Sequence, residues 1–286
     1  MTYREEIGVP AGSPIVEIDG VRLAVAREGR GPALVCLHAI GHGGGDFEAL
    51  TAAVKDRFEV IRIDWPGQGR SGPDRGPASA ARYAALLAGL LDRLGIVAPI
   101  LLGNSIGAAA AILYAAGHPV RALVLCDTGG LVPVNALTRG FCGLLRRFFT
   151  AGAHGRWWYR PLFARYYQMV LPMPAAAAQR GRIIAAGSEL APLLADAWAS
   201  FGRPEADIRA VAEALTVPVW FAWGRRDRVI PLSQCRPCIE RMKTATLTVF
   251  DAGHAAFLEQ PAAFAEGFLD FIDRLPAAAT SERRIA

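Results

Sequence analysis

Residues 99–107 read Pro99-Ile-Leu-Leu-Gly103-Asn104-Ser105-Ile106-Gly107, and Ala-Ala-Ala-Ala-Ile-Leu-Tyr114 follows. The first six residues form a short apolar run, the pattern of a buried strand. The small and apolar residues over 106–117 predict a buried helix. A serine stands where one becomes the other. To turn that sharply the chain must hold Ser105 in a strained conformation with its hydroxyl exposed. Gly103 and Gly107 leave room for close backbone approach. The new helix offers free N–H groups and a positive dipole end to an oxyanion. In this strand–turn–helix context G-x-S-x-G marks a serine nucleophile. The bland alternative is a tight turn with an incidental serine.

Outward from this point the alternation repeats. Strands are predicted at 14–18, 21–26, 33–38, 58–64, 121–127, 217–223 and 245–251, with a hairpin turn at Asp19-Gly20. Helices are predicted at 46–56, 80–94, from 232, and at 255–275. Residues 65–77 are rich in Gly and Pro and read as loop. The expectation is an α/β fold, a mostly parallel central sheet flanked by helices. Over 132–210 the alternation stops and the pattern is helical. We therefore expect a core of residues 1–131 and 211–286, with 132–210 inserted after the sixth strand as a helical cap. Such an insertion sits over the carboxyl ends of the strands, where open α/β sheets bind ligands. Residues 276–286 read as a loose tail.

Composition agrees with a large buried core. Of 286 residues, 52% are hydrophobic and 20% charged, the opposite of a disordered balance. The first fourteen residues contain acids and no apolar h-region, so no secretory signal is expected. The longest apolar run, 100–116, is short for a membrane span and is broken by Gly103, Asn104, Ser105 and Gly107. Five scattered cysteines argue against a disulfide framework and for a reducing, cytoplasmic setting. Cys235-x-x-Cys238 lacks the second pair of a metal site, so both read as structural. The net charge of +5 by itself says little about partners.

A serine hydroxyl needs a base. Of the five histidines, His254 follows a predicted strand in Asp251-Ala-Gly-His254, on a loop that can bring an imidazole over the serine. His118 reads as a helix-end residue, His154 lies in the insertion, and His38 and His42 lie in the loop after the third strand. An acid that orients the base should follow another strand. Asp227 does so, and so does Asp127; Asp251 is too close in sequence to His254. An oxyanion needs two fixed donors. We expect the N–H of Ile106 and, from the glycine-rich loop His38-Ala-Ile-Gly-His-Gly-Gly-Gly45, the N–H of Ile40. That loop lacks the G-K-[ST] and GxGxxG signatures of nucleotide binding. His38, His42, Asn104, Trp157 and Phe257 are the expected substrate contacts.

Taken together these residues resemble the α/β-hydrolase superfamily over about residues 14–275. Asp64-Trp-Pro-Gly-Gln-Gly-Arg-Ser71 is similar to that family's D-x-P-G-x-G-x-S segment. Gly253-His254, with Glu259 and Pro261, is similar to its G-H-x-x-x-x-E-x-P ending. The family's chain order of Ser, Asp, His implies Ser105, Asp227 and His254 as triad. There are two departures: Ala39 stands where many relatives have Gly after His, and Ala108 where many have a second glycine. The elbow GNSIG is similar to those of small carboxylesterases, cofactor-free perhydrolases and meta-cleavage-product C–C hydrolases. Ser105 argues against dehalogenases and soluble epoxide hydrolases, which use Asp. The resemblance implies hydrolysis of a hydrophobic carboxylic ester or thioester through an acyl-enzyme. The alternatives are a C–C hydrolase of a vinylogous diketone, a lyase or cyclase, or a binding protein on the same scaffold. No metal or organic cofactor is implied.

Between Asp127 and Glu189 there is no acid, but there are eight arginines, from Arg139 to Arg182, and nine aromatics, from Phe141 to Tyr167. Three readings fit: a lid with an aromatic underside and a basic solvent face, a site for an anionic or acyl-carrier-borne substrate, or docking on an anionic membrane surface. No nucleic-acid motif is present.

Overall fold

A computed structural model describes residues 2–276, so all of the expected tail except Pro276 lies outside the described residues. In chain order the strands are β1 (Ile15–Ile18), β2 (Val21–Gly29), β3 (Ala33–Leu37), β4 (Glu59–Ile63), β5 (Ile100–Asn104), β6 (Ala122–Cys126), β7 (Val219–Gly224) and β8 (Ala245–Phe250). The helices are α1 (Glu48–Val54), α2 (Ala80–Arg93), α3 (Ile106–Ala115), α4 (Ala136–Ala153), α5 (Tyr159–Val170), α6 (Ala177–Phe201), α7 (Arg209–Glu213), α8 (Leu232–Ile239), α9 (Ala256–Glu259) and α10 (Pro261–Asp273).

The strands form one sheet in the order β1-β2-β4-β3-β5-β6-β7-β8. β1 with β2 and β2 with β4 are antiparallel; all other neighbours are parallel. The physical reason is visible in composition. β5, β6 and β7 are buried at every residue, as strands covered on both faces must be. The edge strands β1 and β8 alternate between exposed and covered positions.

β3 lies between β4 and β5, so the chain leaves β3 on one side and later returns on the other. The loops after β3 and β5 diverge at this reversal and open a crevice. Ser105 and the 38–45 loop are the segments that lie there.

Between β6 and β7 the described chain holds α4 to α7 and no strand, so a helical cap follows the sixth strand. The cap has an aromatic core of its own. Phe149, Tyr159, Phe163 and Tyr167 are buried, with ring centroids 5.3 Å apart for Tyr159–Phe163 and 4.9 Å for Phe163–Tyr167. A Cβ at Gly152 would strike the Tyr159 ring, and one at Gly187 the Phe163 ring. Arg146, Arg147, Arg156, Arg160 and Arg165 are exposed, and among the described residues none has a carboxylate partner.

The final helix differs from expectation. It breaks at Gln260, with φ of −137°, into α9 and α10. Pro261 explains the break: it has no N–H to continue α9, but it is well suited to the first turn of α10. Cys235 and Cys238 are buried free thiols, pushed up to about 12 and about 11 by burial. Among the described residues, no helix is long and apolar enough to cross a membrane.

Candidate active site

The turn from β5 to α3 is as tight as its sequence requires. Ser105 has φ of 55°, a left-handed value that costs a non-glycine residue on the order of 1–3 kcal/mol. Neighbours hold it there. Its N–H donates to Cys126 O at 3.0 Å, and its carbonyl accepts from Ala109 N at 3.1 Å and Gly129 N at 3.2 Å. A Cβ at Gly103 would lie 2.5 Å from Ala108 Cα, and one at Gly107 would strike the Leu37 carbonyl. The two glycines of G-x-S-x-G are thus demanded by crossing backbones.

His254 Nδ1 donates to Asp227 Oδ2 at 2.8 Å. Because a carboxylate only accepts, Nδ1 carries the hydrogen and Nε2 is left as the basic nitrogen. Asp227 Oδ1 accepts from Val229 N at 2.8 Å and Ile230 N at 3.1 Å. The histidine's backbone is pinned as well: its N–H donates to Val170 O of α5 at 2.8 Å. Glu259, buried one helix turn further on, accepts from Gly253 N and, at 2.7 Å, from Met173 N. Burial raises the Glu259 carboxyl, while the two N–H donors oppose the rise.

The 38–45 loop is fastened to the 64–71 segment. Asp64 Oδ1 accepts from Gly44 N at 2.7 Å and Val9 N at 3.1 Å; Oδ2 accepts from Arg70 N at 2.8 Å. Gln68 Oε1 accepts from Gly41 N at 2.6 Å. Ser71 Oγ donates to the Asp64 carbonyl at 2.6 Å. These bonds account for the D-x-P-G-x-G-x-S spacing, and Gly69, with φ of 48°, has no room for a Cβ beside Asp64. Among the described residues, no protein acceptor meets the N–H of Ile40 or Ile106.

A cavity of about 590 Å³ opens between core and cap, a usual size for a small-molecule site. Ser105, His254, Ile40, Ile106 and His42 line it from the core. Leu137 and Phe141 of α4, Tyr166 and Tyr167 of α5, and Leu194 and Trp198 of α6 line it from the cap. Leu137 and Phe141 are 82% and 45% exposed, so the mouth lies beside α4.

Four expected substrate contacts are not on this wall. His38 is fully buried: Nδ1 donates to Ala39 O at 2.7 Å, and Nε2 accepts from Trp65 N at 2.9 Å. Burial pushes it down to about 4, so it is a neutral strut between two loops. Asn104 is also fully buried, donating to Cys126 O at 3.2 Å and His254 O at 2.9 Å. Phe257 stacks on Phe47 at 4.7 Å inside the core. Trp157 is 87% exposed on the cap's outer side.

His42 is the fifth, and it does line the cavity. Its Nδ1 donates to Asp46 Oδ2 at 2.6 Å, and Asp46 also accepts from Gln179 of α6. No motif points to Asp46 or Gln179, and Gln68 occupies a variable position of the Asp64–Ser71 motif. The only local signal was the i, i+4 spacing of His42 and Asp46. Asp127, Asp227 and His254 present polar atoms within 4.8 Å of one another, a spacing that could also gather a cation. The His254–Asp227 contact has the length of a hydrogen bond.

Comparison with known proteins places the fold in a family. The model of the alpha/beta hydrolase family matches residues 34–267. An uncharacterized protein of Mycobacterium tuberculosis is 28% identical, over 90% of this chain and 79% of its own. The pimeloyl-[acyl-carrier protein] methyl ester esterase of Xanthomonas campestris pv. campestris is 28% identical, over 87% of this chain and 98% of its own. An esterase structure from Thermogutta terrifontis superposes with a TM-score of 0.77 at 22% identity, covering 92% of this chain and 97% of that one.

Proposed function

Because the chain belongs to the alpha/beta hydrolase family, we propose that it is a serine hydrolase that cleaves a carboxylic ester or thioester of a hydrophobic substrate. The observation that carries this reading is the conjunction at one cavity wall. A strained serine, an imidazole tied to a buried carboxylate, and two unpaired backbone donors all lie at the same crevice.

The steps follow from these groups. Ser105 Oγ attacks the carbonyl carbon while His254 Nε2 takes its proton. The N–H groups of Ile40 and Ile106 stabilise the oxyanion. His254 then returns the proton to the leaving oxygen or sulfur, and the acyl group stays on Ser105. Water, deprotonated by His254, releases the acid. Asp227 fixes the imidazole tautomer and stabilises its charge. The apolar cap wall supports an acyl chain as the buried portion. The unpaired arginines on α4 and α5, and the carrier-borne substrate named for the Xanthomonas relative, support an anionic or carrier-attached portion lying outside.

The test is a series of p-nitrophenyl esters from acetate to long chains. We expect kcat/KM to climb about fourfold per methylene until the cavity is full, the equivalent of about 0.8 kcal/mol each. Trp198 lines the cap side of the cavity and is 7% exposed. Trp198→Ala is expected to move the optimum to longer chains. Folded wild-type protein that turns over none of these esters would contradict the ester reading and favour C–C bond hydrolysis or a lyase.

A further inference from the structure

Asp127 is a buried acid that the mechanism above leaves unused. It follows β6 directly and has φ of 44°, a left-handed value that only firm anchoring sustains. Its side chain is fully buried. Oδ1 accepts from Gly224 N at 2.8 Å. Oδ2 is also buried, and no donor among the described residues reaches it. Another carboxyl lies nearby: one side-chain ligand atom each of Asp127, Asp227 and His254 falls within 4.8 Å of the other two.

Two ionised carboxylates cannot satisfy each other, because both only accept. They also repel strongly in a water-poor interior. One proton resolves both difficulties. Its location follows from the donors. Asp227 accepts from His254, Val229 and Ile230. Among the described residues, Asp127 accepts from Gly224 alone. Asp227, with three donors against one, is the partner that keeps the charge.

We propose that Asp127 is a neutral carboxylic acid whose Oδ2–H donates to the Asp227 carboxylate, so that two carboxyl groups sharing one proton orient His254. This rests on the reading of Asp227 and His254 given above. Asp127 is a positioning residue. It touches no substrate, and it tempers the charge that Asp227 presents to the imidazole. The surrounding groups agree. Burial, the Asp227 charge and the Glu259 charge all raise the Asp127 carboxyl well above the usual range, and only the Gly224 N–H opposes them. The nearby Cys126 and Cys235 thiols are themselves raised by burial and carry no charge. Tyr166 is likewise raised. Among the described residues, no Lys or Arg pairs with Asp127 or Asp227.

The sign of a pH effect tests this. The acid limb of the kcat/KM profile on a p-nitrophenyl ester reports the base that must be unprotonated. If Asp127 is neutral, Asp127→Ala removes a donor from Asp227, strengthens its field at His254 and moves the limb to higher pH. Asp127→Asn keeps a donor toward Asp227 and should bring the limb back toward wild type, with at least ten times the kcat of the alanine variant. If Asp127 is ionised, both variants delete a negative charge and move the limb to lower pH, by about one unit, which would overturn the proposal. Infrared difference spectra of wild type against Asp127→Asn give a second readout that needs no turnover. A protonated-carboxyl band at pH 7.5 that disappears in the variant supports the shared proton. Its absence, or its survival in the variant, overturns it. The spectra decide the matter even if the hydrolase reading fails.

Discussion

Ser105→Ala should lower kcat on any ester the wild type cleaves by about a millionfold, down to the rate that binding and oxyanion stabilisation alone support. The loss should be this large because the nucleophile's place depends on the turn and not on the presence of a hydroxyl in the cavity. Ser105 alone occupies the strained turn, with its backbone fixed by Cys126, Ala109 and Gly129. Stability should move the other way. Removing Oγ deletes no hydrogen bond among the described residues, so the variant should melt at or slightly above the wild-type temperature. Calorimetry alongside burst-phase kinetics checks both statements. Loss of activity together with a large fall in Tm would point to misfolding and would leave the serine's role without support.

Asp64→Ala should produce the largest loss of stability among single substitutions near the site. Three backbone N–H groups, from Val9, Gly44 and Arg70, end on this one carboxylate. Alanine leaves all three unsatisfied, those of Val9 and Gly44 buried and that of Arg70 half-buried, at about 1–3 kcal/mol for each buried group before relaxation. We expect a net loss of about 3–5 kcal/mol, a fall in Tm of roughly 10 °C for a chain of this size. Activity should fall with it, because Gly44 closes the loop that carries the Ile40 N–H. Asp64→Asn should recover part of the loss, since its amide oxygen can still accept. Denaturant unfolding of the two variants checks the ranking. An alanine variant as stable as wild type would show that the loop does not depend on this carboxylate.

The legible parts of the molecule were those set by local pattern. β5 and α3 follow from a continuous apolar run, a serine and two glycines. The cap follows from the loss of alternation after β6. The illegible parts depend on partners far away in sequence. His38 looks like a site residue until Trp65, twenty-seven positions on, is found donating to its Nε2. Asn104 sits next to the nucleophile, but its amide is spent on the backbone of residue 254. Phe257 belongs to a recognisable motif, yet its ring faces Phe47 in the core. Trp157 shows the converse: an aromatic in the cap can lie wholly outside the aromatic cluster. Asp227 is favoured over Asp127 in the sequence only by the chain order that the resemblance implies. Both follow strands, and in the structure the direction of the His254 ring separates them.

The central claim is covalent, so the most direct measurement is mass spectrometry of the trapped enzyme. Protein treated with a fluorophosphonate, or quenched during turnover of a p-nitrophenyl ester, is digested and its peptides are weighed. The account predicts a single adduct on Ser105, absent when the protein is unfolded beforehand. An unmodified Ser105 peptide in enzyme that is turning over ester would contradict it.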